Sequence, residues 1–463
     1  MANFIAVNSL LSKNSLAAMH NSLQFIKLVD RQLDNQWGDK THGFKPGDTY
    51  KINRAAQFSP VIGNSMAFNS SNGTFSTNSF VEDPIFVTLT TNDQSFIPVQ
   101  FNSHELTTQL DNEESRVGEP AGLRLASHVE QKCILESALH GGLYGYSAGS
   151  TAAAADFLNA SAKLSQFTAP EDGRSCLVPP AIMAQLSASQ MTLFTPSKND
   201  GEIYTKGLIG NFANSEFYSS NLIPDYPIVP GTVASIDPGF TWTEGAASIP
   251  CRFATTGFYP NGVILESSNK YRVNPETKAV TSVKYSWAIC TPASYFGSTG
   301  YPVSGTTLTA PQQVYVNPAY VSANVLTYPA GATDVFGVNV TSASTAVNIY
   351  LDPSALIYSS ADAGNRQNIS AALAASDTLV VVGSTSKSYK QALMFTKEAI
   401  TATLVPLTTD LPGADASRAD HDGISLRVAV QAQVGTDVVY WRFDALSISR
   451  LLRDQYITRV LVG

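Results

Sequence analysis

Between two segments of helical periodicity lies a stretch from Val229 to Tyr358 that carries only 11 charged side chains in 130 residues, and Gly, Pro, Ser and Thr cut it every few positions. Runs that short cannot build helices of ordinary length, and turn residues at such close spacing predict a separate all-β unit with barrel-like character. The pattern is that of a β domain set into an α/β host. No Asp, Glu, Lys or Arg occurs from Tyr285 to Thr333, which points to burial in the unit's own core or against another subunit; a Ser/Thr-rich surface facing solvent is the other reading. At 463 residues the chain also exceeds what one hydrophobic core usually serves, so two or three structural units are expected.

The flanks read differently. Leu16, Met19, Leu23 and Ile26 are spaced for one face of a helix, predicted over residues 12 to 30. From Gly47 the pattern GDTYKINR is strand-like, and two β-prone arms around Asn72-Gly73 predict a long hairpin, because that dipeptide favours the positive φ of a tight turn. The hairpin has too few apolar residues to form a core of its own and must lie on something else. Glu119-Pro120 opens a helix in which Leu125, Ala126, Val129 and Cys133 form one stripe, and Gly141-Gly142 ends it. A second helix over 151 to 167, a strand from Cys176 to Val178 and a third helix after Pro179-Pro180 complete a mixed α/β unit. Helical spacing returns near Asn368 to Ala375, followed by strands to Gly463.

Charged residues make up 14% of the chain, against about 25% in ordinary soluble domains. Polarity is carried by Ser, Thr, Asn and Gln, which lose less than ions when buried against a partner. A net charge of −8 gives no overall attraction for phosphate backbones, so sequence-specific nucleic-acid binding is not expected. The first 23 residues interleave Asn, Ser and Lys with apolar positions, unlike an export signal, and no run of 18 apolar residues occurs; the expectation is a chain made in the cytosol of its host cell, with no membrane span. Cys133, Cys176, Cys251 and Cys290 lack CxxC spacing and are expected as free thiols.

Chemistry-bearing motifs are scarce. His20, His42, His104, His128, His140 and His421 show no HExxH pattern, and Asp420-His421-Asp422-Gly423 supplies too few oxygens for calcium and reads as a solvated turn. Gly141 to Gly145 follows a helix, whereas a phosphate cradle precedes one. No GxGxxG, Walker or GxSxG pattern is present. The expectation is a non-enzymatic protein without catalytic residues, cofactor or metal.

Several segments, in order, resemble one family. The leading SLLSKNSLAAMHNSLQFIKLVDRQLD is similar to its first helix, GDTYKINR to the strand entering its extended loop, and VTLTTNDQSFIPVQFNSHELT with PAGLRLASHVEQ to the strand and long spine helix of its peripheral domain. Most specific is YTKGLIGNFANSEFYSSNLIP, with Gly207, Ile209, Gly210 and Pro224; Asn214 stands where the family usually has Gly, and Asn tolerates left-handed φ. YKQALMFTKEAITATLVPL and DGISLRVAVQAQVGTDVVYWRFDALSISRLLRDQYITRVL look like its closing strands, with Arg442 and Asp444 two apart on one strand face; Ser447-Ile448 departs from the family's Tyr-Gly. The chain thus resembles the major capsid proteins of tailed double-stranded DNA bacteriophages with the Hong Kong 97-type fold, in the branch that carries an inserted β domain, as in the Salmonella short-tailed phage coat protein.

That resemblance implies an α+β fold divided into an N-terminal arm (1–46), an extended β-hairpin loop with peripheral-domain strands (47–101), a peripheral domain with its spine helix (102–146), the first part of an axial domain (147–228), an inserted β domain (229–358) and closing axial and peripheral strands (359–463). It implies self-assembly into pentamers and hexamers of an icosahedral shell, located in the virion capsid and assembled in the host bacterial cytoplasm. It also implies a scaffolding protein, a portal at one vertex, room for a decoration protein, and double-stranded DNA enclosed without sequence-specific binding. Leu125, Val129 and Cys133 are expected to face the peripheral sheet. A β-rich tail or surface adhesin shares the composition but not the α/β segments at 119 to 194, and a hydrolase would need a nucleophile and base that the motifs do not supply.

Overall fold

The computed structural model describes residues 2–31, 49–53, 68–69, 74–75, 84–88, 94–102, 117–146, 151–191, 211–290, 313–315, 321–322, 325–326, 336–340, 342–359, 366–433, 435 and 438–463. They form a mixed α/β assembly rich in sheet, in which two β-rich bodies each have a core.

The first body joins two sheets. One is wholly antiparallel and centred on the strand Val438–Leu451, whose first half is flanked by Ile424–Gln433 and Gln94–Asn102 and whose second half pairs with Ile400–Val405; Asp415–His421 forms the far edge. The other is mixed, in the order Tyr144–Tyr146, Ile457–Val462, Lys390–Thr396, Arg174–Val178, Ser215–Ser219, Asn211–Phe212. Arg174–Val178, Ile400–Val405 and Ile457–Val462 are buried at every position, as strands covered on both faces must be.

The helix Glu119–Glu136 packs across Val438–Leu451. Glu119 and Pro120 suit its first turn, where an acidic side chain meets the positive end of the helix and a missing N–H costs nothing. Leu125, Ala126, Val129 and Cys133 are buried, and the stripe continues through Ile134 to Ala138 and Leu139. The helix ends at Ser137, whose N–H and hydroxyl both donate to the Cys133 carbonyl, at 3.2 and 2.6 Å. A 3-10 turn, Ala138–His140, then runs into Gly141.

The N-terminal helix spans Ala2–Ser22, and a single separate turn follows at Phe25–Leu28. This differs from one helix over 12 to 30. Leu16, Met19, Leu23 and Ile26 are all buried, but the chain breaks at Leu23-Gln24 because the Glu130 carboxylate of the long helix takes the N–H groups of Gln24 (2.6 Å) and Phe25. The two helices cross closely at Gly122, where a Cβ would meet the backbone carbonyl of Ser15.

Between these helices in sequence lie two pairs of short strands, together called the ribbon. Thr49–Asn53 pairs antiparallel with Pro84–Thr88, and Phe68–Asn69 with Thr74–Phe75. Among the described residues these strands pair only with each other. The expected turn at Asn72-Gly73 lies outside the described residues, as does most of the chain between the two pairs.

The second body is a six-stranded antiparallel sheet in the order Val280–Ala288, Ile264–Val273, Thr378–Val381, Val233–Ile236, Ser248–Phe253, Ala346–Tyr350, with a three-stranded sheet formed by Gly257–Pro260, Phe336–Val340 and Gln313–Tyr315. Its two outer strands come together just beyond their ends, where Cys290 bridges Tyr350. The sheet therefore curls back on itself toward a barrel. Tyr285, Trp287 and Ile289, from the uncharged stretch, fill its core; most of the rest of that stretch lies outside the described residues.

Two expectations change here. The β body does not end at Tyr358: Thr378–Val381 is a central strand of its sheet, and Ile369, Leu373, Leu379 and Val381 belong to its core, so the body runs from about Tyr226 to Tyr389. Residues 368 to 375 are also not helical. Ile369 and Leu373 have helical spacing, but both point into the β core, and Asn368 is fixed by its amide donating to Leu356 O (2.7 Å) and accepting from Tyr358 N (2.9 Å).

Candidate functional site

The two bodies meet at a buried polar junction. The chain crosses it side by side on the way in and on the way out: Tyr226 and Tyr389 exchange backbone hydrogen bonds of 2.7 and 3.0 Å. The Tyr226 hydroxyl donates to Val382 O (2.6 Å) and accepts from Ile264 N (3.0 Å), which anchors both linkers to the β body.

Arg459 is the central cation of this junction. It is 1% exposed and comes from a strand that is otherwise apolar except for Thr458. Its guanidinium donates to Leu139 O (3.1 Å) at the end of the long helix, to Gly262 O (2.6 Å) in the β body and to Gln391 Oε1 (3.0 Å), and it lies over the Tyr226 ring. Burial lowers its pKa to about 10, against the influence of the Tyr226 hydroxyl and Cys290. Four points of attachment from three parts of the fold make Arg459 a rivet between the bodies.

A second set of bonds runs parallel. Arg272 of the β body pairs with Asp454 of the first body at 2.7 Å, both nearly buried. Asp454 also accepts from Gly142 N (2.5 Å), and the Gly142 carbonyl accepts from Ser286 Oγ (2.6 Å). Gly142 is required there, since a Cβ would run into the Ser286 carbonyl and the Trp287 backbone. Gly141 to Gly145 thus serves the junction.

The third element is a cluster of His140, Cys290 and Asp352. His140 Nδ1 lies 2.8 Å from Asp352 Oδ2, while Asp352 Oδ1 accepts from Ser354 N (2.9 Å) and Ser354 Oγ (2.7 Å). Candidate ligand atoms of all three residues lie within 4.8 Å of one another, and no other group of three His, Cys, Asp or Glu side chains among the described residues does so. Burial alone would lower the pKa of His140, but Cys290 and Asp352 beside it raise it instead. Burial disfavours the Asp352 carboxylate, yet its bonds to His140 and Ser354 hold its pKa below the usual range. Burial raises the Cys290 thiol. The cluster is where a cation could be held.

The residues singled out from sequence fall in four places. Leu125, Val129 and Cys133 lie on the buried face of the long helix, and the Cys133 carbonyl also accepts from Ser449 Oγ of the sheet (3.2 Å). Arg442 and Asp444 are brought together on one strand, Arg442 Nε donating to Asp444 Oδ1 at 2.6 Å. Asn214 has φ 55 and, with Ala213 at φ 54, forms the two-residue turn between Asn211–Phe212 and Ser215–Ser219, the left-handed conformation that Asn accepts readily. Pro224 offers its carbonyl to Gln391 Nε2 (2.6 Å) just before the junction. Gly207, Ile209 and Gly210 lie outside the described residues. These placements do not converge on one site.

Sequence reading missed Arg459, Arg272, Asp454 and the three-residue cluster. Arg459 had a signal, a lone charge in the apolar run Ile457–Val462. The cluster had none: its members are far apart in the chain, Cys290 and Asp352 meeting where the β sheet closes and His140 joining them where the two bodies dock.

No family model matches the chain, and no curated protein does. Among solved structures, the chain is similar to one from Mycobacterium phage Che8, with 10% identity over 95% of this chain and 90% of that one and a TM-score of 0.42. It is similar also to the capsid structure of cyanophage P-SCSP1u, with 10% identity over 91% and 84% and a TM-score of 0.37. A third is the mature capsid of bacteriophage PhiM1, with 8% identity over 89% and 81% and a TM-score of 0.37. These are likenesses of outline, and the chain's own residues carry the functional reading. Among the described residues, no helix is long and apolar enough to cross a membrane.

Proposed function

We propose that the chain is a non-enzymatic structural protein, the major capsid protein of a tailed double-stranded DNA bacteriophage, whose copies form pentamers and hexamers of a closed shell. The observation that carries this reading is the ribbon of Thr49–Asn53 with Pro84–Thr88 and Phe68–Asn69 with Thr74–Phe75, which joins neither body's sheets among the described residues. An isolated two-stranded ribbon is marginal in water. It gains its stability by lying on a neighbouring subunit, as an interlocking arm does. The depletion of charge supports the same reading, because obligate interfaces of about 2,000–5,000 Å² remove ionised groups from the surface.

On this reading the N-terminal helix forms the arm, the helix Glu119–Glu136 is the spine of the peripheral domain, and the body from Tyr226 to Tyr389 is an inserted domain that aids folding and meets neighbouring capsomers. Its extent replaces the earlier 229–358 boundary. A scaffolding protein, a portal and a decoration protein are the expected partners, and DNA is enclosed without sequence-specific contacts. Residues 55 to 101 contain no Lys, and Lys51 stands at the base of the hairpin, so a non-covalent, interlocking arm is the more economical reading. Electron microscopy of the expressed protein, with its scaffolding partner, is expected to show closed shells or capsomers. Particles boiled in detergent should run as a single band at the monomer mass. Fibres, or monodisperse monomer under every assembly condition, would overturn the proposal, and a covalent ladder would overturn the non-covalent arm.

A further inference from the structure

We propose that His140, Cys290 and Asp352 form a binding site for a divalent cation of the zinc class, one per chain, at the seam where the β body closes and docks on the end of the long helix. Imidazole, thiolate and carboxylate are the donor types of zinc sites, and a thiolate selects against calcium and magnesium, which prefer sets of oxygen ligands. Three protein ligands leave a fourth tetrahedral position for water.

Geometry is the main support. At the usual metal–ligand lengths, the donors of a tetrahedral site stand about 3.3 to 3.6 Å apart. The candidate atoms here lie within 4.8 Å of one another, and the closest pair, His140 Nδ1 and Asp352 Oδ2, is at 2.8 Å. Opening that pair by about half an ångström and drawing Cys290 inward reaches the required spacing. Asp352 is already oriented for the task. Its Oδ1 is occupied by both donors of Ser354, which turns Oδ2 toward the cluster in the manner of the outer hydrogen bonds that orient metal ligands.

Charge also balances. A thiolate and a carboxylate together supply the two negative charges that offset a divalent cation, with the imidazole neutral. Arg459 lies nearby on the Leu139 and Gly262 carbonyls, and Arg272 is paired with Asp454, so the neighbouring cations are already engaged. Cys290 is 5% exposed and Asp352 likewise 5%, which gives a bound ion a dry setting.

The position gives the ion a structural consequence. His140 ends the 3-10 turn after the long helix, Cys290 follows the strand Val280–Ala288, and Asp352 follows Ala346–Tyr350. One ion would therefore tie both outer strands of the curled sheet to each other and to the first body. This inference is independent of whether the chain builds a shell.

The test uses the purified full-length chain, stripped with a chelator and titrated with Zn²⁺ and, separately, Co²⁺. One equivalent per chain is expected to saturate, with a rise in melting temperature for Zn²⁺ and a thiolate-to-cobalt charge-transfer band for Co²⁺. Cys290→Ser should abolish the band. Asp352→Asn, which keeps an acceptor for Ser354, should weaken affinity at least tenfold while preserving the cooperative melt. If Cys290→Ser does not fold, the Asp352→Asn titration and the wild-type cobalt spectrum decide the matter. No saturable binding, binding without a thiolate band, or unchanged binding in Asp352→Asn overturns the proposal.

Discussion

Arg427 stands directly across the sheet from Asp444 and donates two hydrogen bonds to one of its carboxylate oxygens, Nε at 3.1 Å and Nη2 at 2.7 Å. Asp444 is fully buried and Arg427 nearly so. The other carboxylate oxygen accepts from Arg442 (2.6 Å) and Gln94 (3.1 Å), so the buried anion is satisfied on both sides by three strands. Removing Asp444 leaves the Arg427 charge stranded in the sheet. Asp444→Ala is expected to cost about 3 to 5 kcal/mol, the range for breaking a buried pair by deleting one partner. Arg442, whose side chain is 44% exposed, should cost far less as Arg442→Ala. Urea unfolding of the two variants checks the order; equal losses would mean that the pair with Arg427 is not the dominant one.

Gly122 lets the N-terminal helix approach the long helix to backbone contact at Ser15. Gly122→Ala gains helix propensity but forces the two helices apart. A net loss of about 1 to 3 kcal/mol is expected from overpacking, together with faster proteolysis of the N-terminal helix. Stabilisation would show that the crossing is looser than described.

Glu130 is buried and serves the N–H groups of Gln24 and Phe25. Burial raises its pKa above the ordinary carboxyl value, with the two backbone bonds and Lys27 opposing. Because the folded state binds the proton more tightly than the unfolded one, protonation favours folding. This contribution is complete below the ordinary carboxyl pKa and is lost as pH rises through the raised value. The difference in urea midpoint between wild type and Glu130→Gln should therefore vary with pH in that window, in favour of wild type at the acid end. Glu130→Ala should be less stable at every pH, by about 1 to 3 kcal/mol for each donor left without a partner. A pH-independent difference between wild type and Glu130→Gln would contradict the raised value.

The β body requires the strand Thr378–Val381, which pairs with both Val233–Ile236 and Ile264–Val273. A fragment covering 226 to 389 is expected to fold cooperatively and give dispersed amide resonances, since its ends are already paired at Tyr226 and Tyr389. A fragment ending at 358 lacks a central strand, exposes two unpaired edges and should aggregate. Equal behaviour of the two would show that the strand is dispensable.

Periodicity and turn residues alone pointed to the buried stripe of the long helix, the shared strand face of Arg442 and Asp444 and the presence of a turn-rich β body, because each depends on residues a few positions apart. Residues 368 to 375 show where that logic fails: Ile369 and Leu373 have the spacing of a helix face, yet a neighbouring β core buries both and leaves the backbone irregular. Only the tertiary structure decided that Thr378–Val381 belongs to the β body, that Arg459 rivets Leu139, Gly262 and Gln391 together, and that His140, Cys290 and Asp352 meet. Those contacts join segments far apart in the chain, and no local spacing encodes them: they exist because the β body closes on itself and docks on the first body, and a polar group buried there costs free energy unless it is paired.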